Sequence, residues 1–136
     1  MTSYIEKVEI STPILPKYET HKATILQFIN NEIATLPENW DGYLASPIEQ
    51  DVLVNVAHFI HKLPKSLARL LNKDAIFPNA NGTISIEWTM EGNKLFIEIG
   101  SHYATYYIKN KGQLKKINNQ FVISDAAAFR QFIEDL

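Results

Sequence analysis

Residues 83–108, TISIEWTMEGNKLFIEIGSHYATYYI, contain three segments in which apolar residues occupy every second position. A period of two is typical of β-strands that bury one face. The Gly100-Ser101 pair suits a two-residue hairpin turn, which would place Ile99 opposite His102 and make the strands antiparallel. The central part of the chain therefore predicts an antiparallel β-meander.

The alternation assigns each side chain of these strands to one of two faces. The apolar set is expected to face the covering helices, and it consists of Ile84, Ile86, Trp88, Leu95, Ile97, Ile99, Ala104, Tyr106 and Ile108. The opposite set consists of Glu87, Phe96, Glu98, Tyr103, Thr105 and Tyr107. Three aromatic rings are unusual on a face that only water touches. Unless the N-terminal arm or a helix covers them, these rings and the two carboxylates are the predicted interaction surface.

The carboxylates of Glu87 and Glu98 lie on adjacent strands of that face. Paired carboxylates can carry out acid–base chemistry or hold a divalent cation. A two-residue loop at Glu91-Gly92 would set Glu98 opposite Ser85. A four-residue loop would set it opposite Glu87, which is costly unless something neutralises the pair. A solvated or salt-bridged pair is the plainer interpretation.

Around the meander, the chain of 136 residues is expected to form one domain of the α+β class. Its segments are residues 1–16 as an N-terminal arm or edge strand, 17–72 as the helical part, 75–123 as the β-meander and 124–136 as a C-terminal helix. The predicted fold is an antiparallel β-meander of four to five strands. Two N-terminal helices and one C-terminal helix pack mainly on one face of it.

The two N-terminal helices have different signals. Apolar residues recur at helical spacing from about Tyr18 to Leu36, and Pro37 ends that helix. Ser46 is expected to cap the second helix, with Pro47 in the first helical position and Glu49 completing a capping box.

The composition excludes several classes of function. The chain has no cysteine, which rules out disulfides, thiol catalysis and cysteine-ligated metals. The net charge is -2, and the only notable basic cluster is Lys109, Lys111, Lys115 and Lys116, so nucleic-acid binding is not favoured. No signal peptide or membrane-length apolar stretch is present, which predicts a cytoplasmic protein without a membrane partner. No cofactor is expected.

The loop that contains Trp40, Asp41 and Tyr43 is a possible ligand loop. Asp41 could accept hydrogen bonds from a ligand between two aromatic walls. In the simpler interpretation, the two rings fill the junction between helices and sheet, and Asp41 stabilises a turn before Gly42. His58 and His61 lie three residues apart on the second helix, but without further ligands they are expected to be structural or solvent-exposed.

The same loop carries a resemblance. Asn39-Trp40-Asp41-Gly42-Tyr43, followed by Ala45, Pro47 and Ile48, resembles a family of small uncharacterised prokaryotic proteins. In that family an Asn-Gly or Asp-Gly turn and a strand ending in Glu-Trp follow the helix, as Asn81-Gly82 and Glu87-Trp88 do here. Leu44 stands where the family often has glycine. The resemblance implies a compact prokaryotic domain and no particular activity, cofactor or functional residue.

The leading hypothesis from sequence is a non-enzymatic protein-interaction module. It would be a homodimer, or a protein partner of the antitoxin or immunity kind. Two alternatives stay open. One is a small-molecule or metal-dependent enzyme that uses Asp41, Glu87 or Glu98, and the other is a weak nucleic-acid binder.

Overall fold

The structure is a computed structural model that describes residues 17–136, except for the side chains of residues 115–119. The arm expected at residues 1–16 lies outside the described residues. The helices are α1 (Lys17–Phe28), continued by a π-helical turn (Ile29–Ile33), α2 (Gln50–Lys62), α3 (Lys65–Ala68) and α4 (Ala126–Glu134). The strands are β1 (Ile76–Pro78), β2 (Ile84–Met90), β3 (Asn93–Ile99), β4 (Ala104–Asn110) and β5 (Gln113–Phe121).

The five strands form one antiparallel sheet in the order β1-β2-β3-β4-β5. Each strand pairs with its neighbour in sequence, which is the arrangement of a meander. The α+β class and the meander are therefore confirmed. The apolar residues that α1, α2, α3 and α4 bury belong to the same core as the apolar face of the sheet, so these helices lie on that side.

The register preserves the predicted faces although one turn differs from expectation. Ile99 lies opposite Ala104 rather than His102, because a longer turn spans Gly100 to Tyr103 and is closed by a hydrogen bond of 2.9 Å from Gly100 N to Tyr103 O. The shift is two residues. Since side chains alternate with a period of two, an even shift leaves every side chain on its predicted face.

The buried face of the sheet, called the inner face, contains the predicted apolar set. Ile84, Ile97 and Ile99 are completely buried, and the indole of Trp88 donates a hydrogen bond of 3.1 Å to Leu67 O. Beside Trp88, whose ring centroid lies 6.2 Å from that of Phe59, an aromatic cluster joins the sheet to α2 and α4, and it consists of Phe59, Tyr106, Phe121, Phe129 and Phe132. Burial of this apolar surface is the main force that holds helices and sheet together.

The first helix changes its pitch where its buried residues require it. Ile25, Ile29 and Ile33 are buried and lie four residues apart. In a regular α-helix such residues drift about 40° around the axis at each step. The π-helical turn, closed by a bond of 2.8 Å from Ala34 N to Ile29 O, corrects this drift and keeps Ile33 in the core.

The predicted start of the second helix is wrong. α2 begins at Gln50, and the side chain of Glu49, its N-cap residue, makes no capping hydrogen bond within the described residues. Ser46 instead lies in the loop before the helix: its N–H donates to Ala80 O, and its carbonyl accepts from the Trp40 indole. Since the helix begins four residues later, Ser46 is not its cap.

Candidate functional site

The face of the sheet opposite the inner face, called here the outer face, carries three rows of side chains across β2, β3 and β4. The strand register defines them. The acidic row is Ser85, Glu98 and Thr105; the aromatic row is Glu87, Phe96 and Tyr107; the basic row is Thr89, Lys94 and Lys109. Adjacent rows are about 6.8 Å apart along the strands, since each residue advances about 3.4 Å.

The centre of the outer face is a stacked aromatic pair. Phe96 and Tyr107 lie directly opposite each other on β3 and β4. Their ring centroids are 4.8 Å apart and their planes differ by 25°. A cross-strand aromatic pair of this kind stabilises the sheet locally. Both rings are only half-buried, so they also present apolar surface to the outside.

Tyr103 does not join this pair. It precedes β4, in the turn after β3, and is 51% exposed beside the His102 ring. The predicted cluster of three rings is therefore a pair with an exposed tyrosine near one end of β4.

The two carboxylates of the outer face have separate partners. Glu98 lies opposite Ser85, as a two-residue loop between β2 and β3 requires, and it accepts a hydrogen bond of 2.6 Å from Thr83 Oγ1. Glu87 Oε1 lies 3.9 Å from Lys94 Nζ. Each carboxylate is held by its own polar neighbour, so the geometry favours the plainer interpretation of a solvated or paired group. Within the described part of the chain, no group of three or more potential metal ligands comes together.

Several residues that share the outer face are absent from the predicted set, and four of them bear on its chemistry. Lys94 and Lys109 form the basic row, and Lys109 Nζ lies 5.4 Å from the centre of the Tyr107 ring. Phe77 pairs with Ser85 on the β1 side and Leu114 with Lys109 on the β5 side, and these two are 42% and 57% exposed. The lysines follow from the alternation of β3 and β4. The other two required the registers of β1 and β5.

The loop between the first two helices uses its polar groups internally. Asp41 Oδ1 accepts hydrogen bonds from Tyr43 N at 2.8 Å and Ala45 N at 3.1 Å. Asn39 Oδ1 accepts from Leu44 N at 2.7 Å. The carboxylate of Asp41 thus serves the loop's own backbone, as the turn interpretation predicts.

The same hydrogen bonds fix the backbone at the tip of the loop, where two apolar side chains, Tyr43 and Leu44, are exposed. The Tyr43 and Leu44 side chains are 87% and 86% exposed, so Tyr43 does not fill the junction between helices and sheet. Leu44 has a φ of 68°, a left-handed conformation that costs a leucine about 1 kcal/mol or more.

We expect Asp41→Ala to lower the free energy of unfolding by about 1–2 kcal/mol, because two backbone N–H groups lose a charged acceptor. Asp41→Asn keeps an acceptor oxygen and should recover most of that loss. Urea unfolding of the two variants beside the original chain measures the difference. Equal stability of all three would mean that the loop does not depend on this acceptor.

Two cavities of the described residues are lined by side chains other than the predicted carboxylates. One of about 480 Å³ lies between α1 and residues 69–73 and is lined by apolar side chains together with His21, Arg69 and Lys73. Another, of about 370 Å³, lies beside the basic row. Neither Asp41 nor Glu87 nor Glu98 lines these two cavities. His58 and His61 are exposed on α2.

No helix in the described residues combines the length and apolar character that crossing a membrane requires. Comparison of the chain with protein-family models, with curated proteins and with solved structures finds no match. The geometry of the outer face is therefore the basis on which a function can be proposed.

Proposed function

We propose that the protein is a non-enzymatic protein-interaction module and that the outer face of its sheet is the contact surface. The observation that carries the proposal is the Phe96–Tyr107 pair, at the centre of a face on which none of the described helices packs. A packed sheet buries one face in its own core, and the other face can remain in water. Aromatic side chains at the centre of such a face are typical of a surface that binds another protein.

The surroundings of the pair support the same function. Interface centres are poor in lysine, while the surrounding rim is polar. Here Lys94 and Lys109 form a row at one side of the rings, and Glu98 lies on the other side. Phe77 and Leu114 extend the apolar area toward the two edge strands. This is an apolar centre with a charged rim.

Substitution of both rings tests the proposal. We expect Phe96→Ser combined with Tyr107→Ser to abolish association, because the serines remove the apolar centre and leave the rim. Light scattering measures self-association, and co-purification from cells that naturally produce the protein measures a heterologous partner. Tyr43→Ser is the matched control, since it removes an exposed ring from the loop and leaves the sheet unchanged.

Circular dichroism and urea unfolding establish that the double variant is still folded. A chain that is monomeric and retains no partner, with or without the two serines, would contradict the proposed function. If Tyr43→Ser lost association while the double variant kept it, the contact surface would be the loop rather than the outer face.

A further inference from the structure

The charges of the outer face are ordered along the strands. Glu98 lies about 6.8 Å from the aromatic row on one side, and Lys94 and Lys109 lie the same distance away on the other. Along β3 the order of the rows is acidic, aromatic, basic. Because the two charged rows lie on opposite sides of the rings, a second copy turned end to end can set its basic row against the acidic row of the first.

Two faces can meet about a two-fold axis that lies in the plane between them. If the axis runs along the strands, each row meets the same row of the other copy, and lysines face lysines. If the axis runs across the strands, along the aromatic row, the acidic row of each copy meets the basic row of the other. The second arrangement places Glu98 opposite Lys94, Thr105 opposite Lys109 and the aromatic pairs on the axis.

We propose that the outer face binds a second copy of this chain about a two-fold axis that runs along the aromatic row. This inference rests on the proposed function, and it identifies the protein partner as a second copy of the chain. Each Glu98 meets Lys94 of the other copy, so the contact is made twice in the dimer. Sheets that pack face to face lie about 10 Å apart with their strands inclined by about 30°, which brings side chains of both faces into contact.

The contact is centred on β3 and β4. At β2 the Asn79 side chain donates a hydrogen bond of 2.8 Å to Ser85 Oγ, and Ser85 is buried. The two copies of Glu87 meet at the margin of the aromatic row. Lys94 Nζ, 3.9 Å from Glu87 Oε1, offsets that charge within each copy.

The area of the face limits how tightly two copies can associate. Five strands about 4.8 Å apart and three rows about 6.8 Å apart cover about 500 Å² at most, or about 1,000 Å² for two copies. This is at the lower end for specific protein interfaces. The dimer is therefore a reversible one, with a dissociation constant in the micromolar range or weaker.

Sedimentation equilibrium of the full chain, from micromolar to near-millimolar concentration, tests the dimer. We expect a reversible monomer–dimer equilibrium. Glu98→Lys and Lys94→Glu should each raise the dissociation constant at least about tenfold, because each sets like charges opposite each other twice. Lys109→Glu is the matched control: it makes the same charge change in the same row but faces Thr105, so a change below about threefold is expected.

Mixing the two variants tests the charge pairing. The axis itself is identified by the single variants: about an axis along the strands the original chain already sets like charges opposite each other, so neither substitution would weaken that dimer. In a mixed dimer, the lysine introduced at position 98 of one copy meets the glutamate introduced at position 94 of the other. The original Lys94 of the first copy meets the original Glu98 of the second. Each variant homodimer has two like-charge contacts and the mixed dimer has none, so isotopically labelled Glu98→Lys mixed with unlabelled Lys94→Glu should restore association. Native mass spectrometry counts the mixed species.

The folded state of each variant is checked by urea unfolding. Glu98→Gln is the milder variant, since it removes the charge but keeps an acceptor for Thr83 Oγ1, and it should weaken the dimer in the same direction.

Several results would overturn the inference. One is a chain that stays monomeric at near-millimolar concentration; another is a failure of the mixed variants to associate. Amine crosslinks between Lys7 and either Lys94 or Lys109 within a monomer would mean that residues 1–16, and not a second copy, contact the face. If a different protein co-purifies with the monomeric chain and is lost in the Phe96→Ser, Tyr107→Ser variant, the second copy is excluded while the proposed function stands.

Discussion

Replacing Phe132 with alanine is expected to lower the free energy of unfolding by about 3–5 kcal/mol. Phe132 is completely buried on α4. Its ring centroid lies 5.0 Å from that of Tyr106 on β4 and 5.6 Å from that of Phe59 on α2. The alanine would leave a cavity where the sheet, α2 and α4 meet, and the bulky rings around it cannot rearrange to fill that space.

Urea or thermal unfolding followed by circular dichroism measures this loss. Arg130→Ala is the matched control, since Arg130 lies on the exposed side of the same helix and its replacement should change stability by less than about 0.5 kcal/mol. Phe132→Leu keeps most of the apolar volume and should cost less than the alanine. A Phe132→Ala variant as stable as Arg130→Ala would show that α4 contributes little to the core.

The second large effect is expected at Trp88. Trp88→Ala should cost about 3–5 kcal/mol, because it removes the largest buried side chain of the inner face. Trp88→Phe keeps a six-membered aromatic ring but removes the rest of the indole with its N–H; Leu67 O loses that donor and keeps the bond of 3.1 Å from Leu70 N, so the variant should cost about 1–3 kcal/mol. The alanine variant loses the packing and the hydrogen bond together, and the phenylalanine variant loses the hydrogen bond with a smaller part of the packing.

Unfolding curves in urea measure both variants. Trp40→Phe is the control, since Trp40 is half-buried and donates its hydrogen bond to Ser46 O in a loop rather than in the core. It should cost no more than about 1 kcal/mol. A Trp88→Phe variant as stable as the original chain would mean that the bond to Leu67 contributes nothing measurable.

The strands and their faces could be predicted because they depend on local alternation. Ile97 and Tyr106 reach the inner face whether the turn after Ile99 has two residues or four. The start of α2 could not be predicted in this way. The loop before α2 is tied to a distant part of the chain, since Ser46 N donates to Ala80 O, 34 positions away (80 minus 46), and no local pattern reveals that contact.

The candidate site was predictable to a similar degree. The alternation was enough to place Phe96 and Tyr107 on one face, but their direct pairing required the register between β3 and β4. A two-residue turn at Gly100-Ser101 would place Tyr103 on that face, but the longer turn of the structure includes Tyr103 itself. The order of charge along the strands became visible only when Glu98 and Lys94 could be placed in their rows.

The position of α4 after the sheet in the chain has a consequence for synthesis. Each strand of the meander pairs with the one made just before it, so the sheet can assemble progressively as the polypeptide emerges from the ribosome. Phe129 and Phe132, which complete the aromatic cluster, are added after all five described strands. A nascent or prematurely terminated chain would thus expose Phe59 and Phe121, and chaperones or proteases would act on it at that stage.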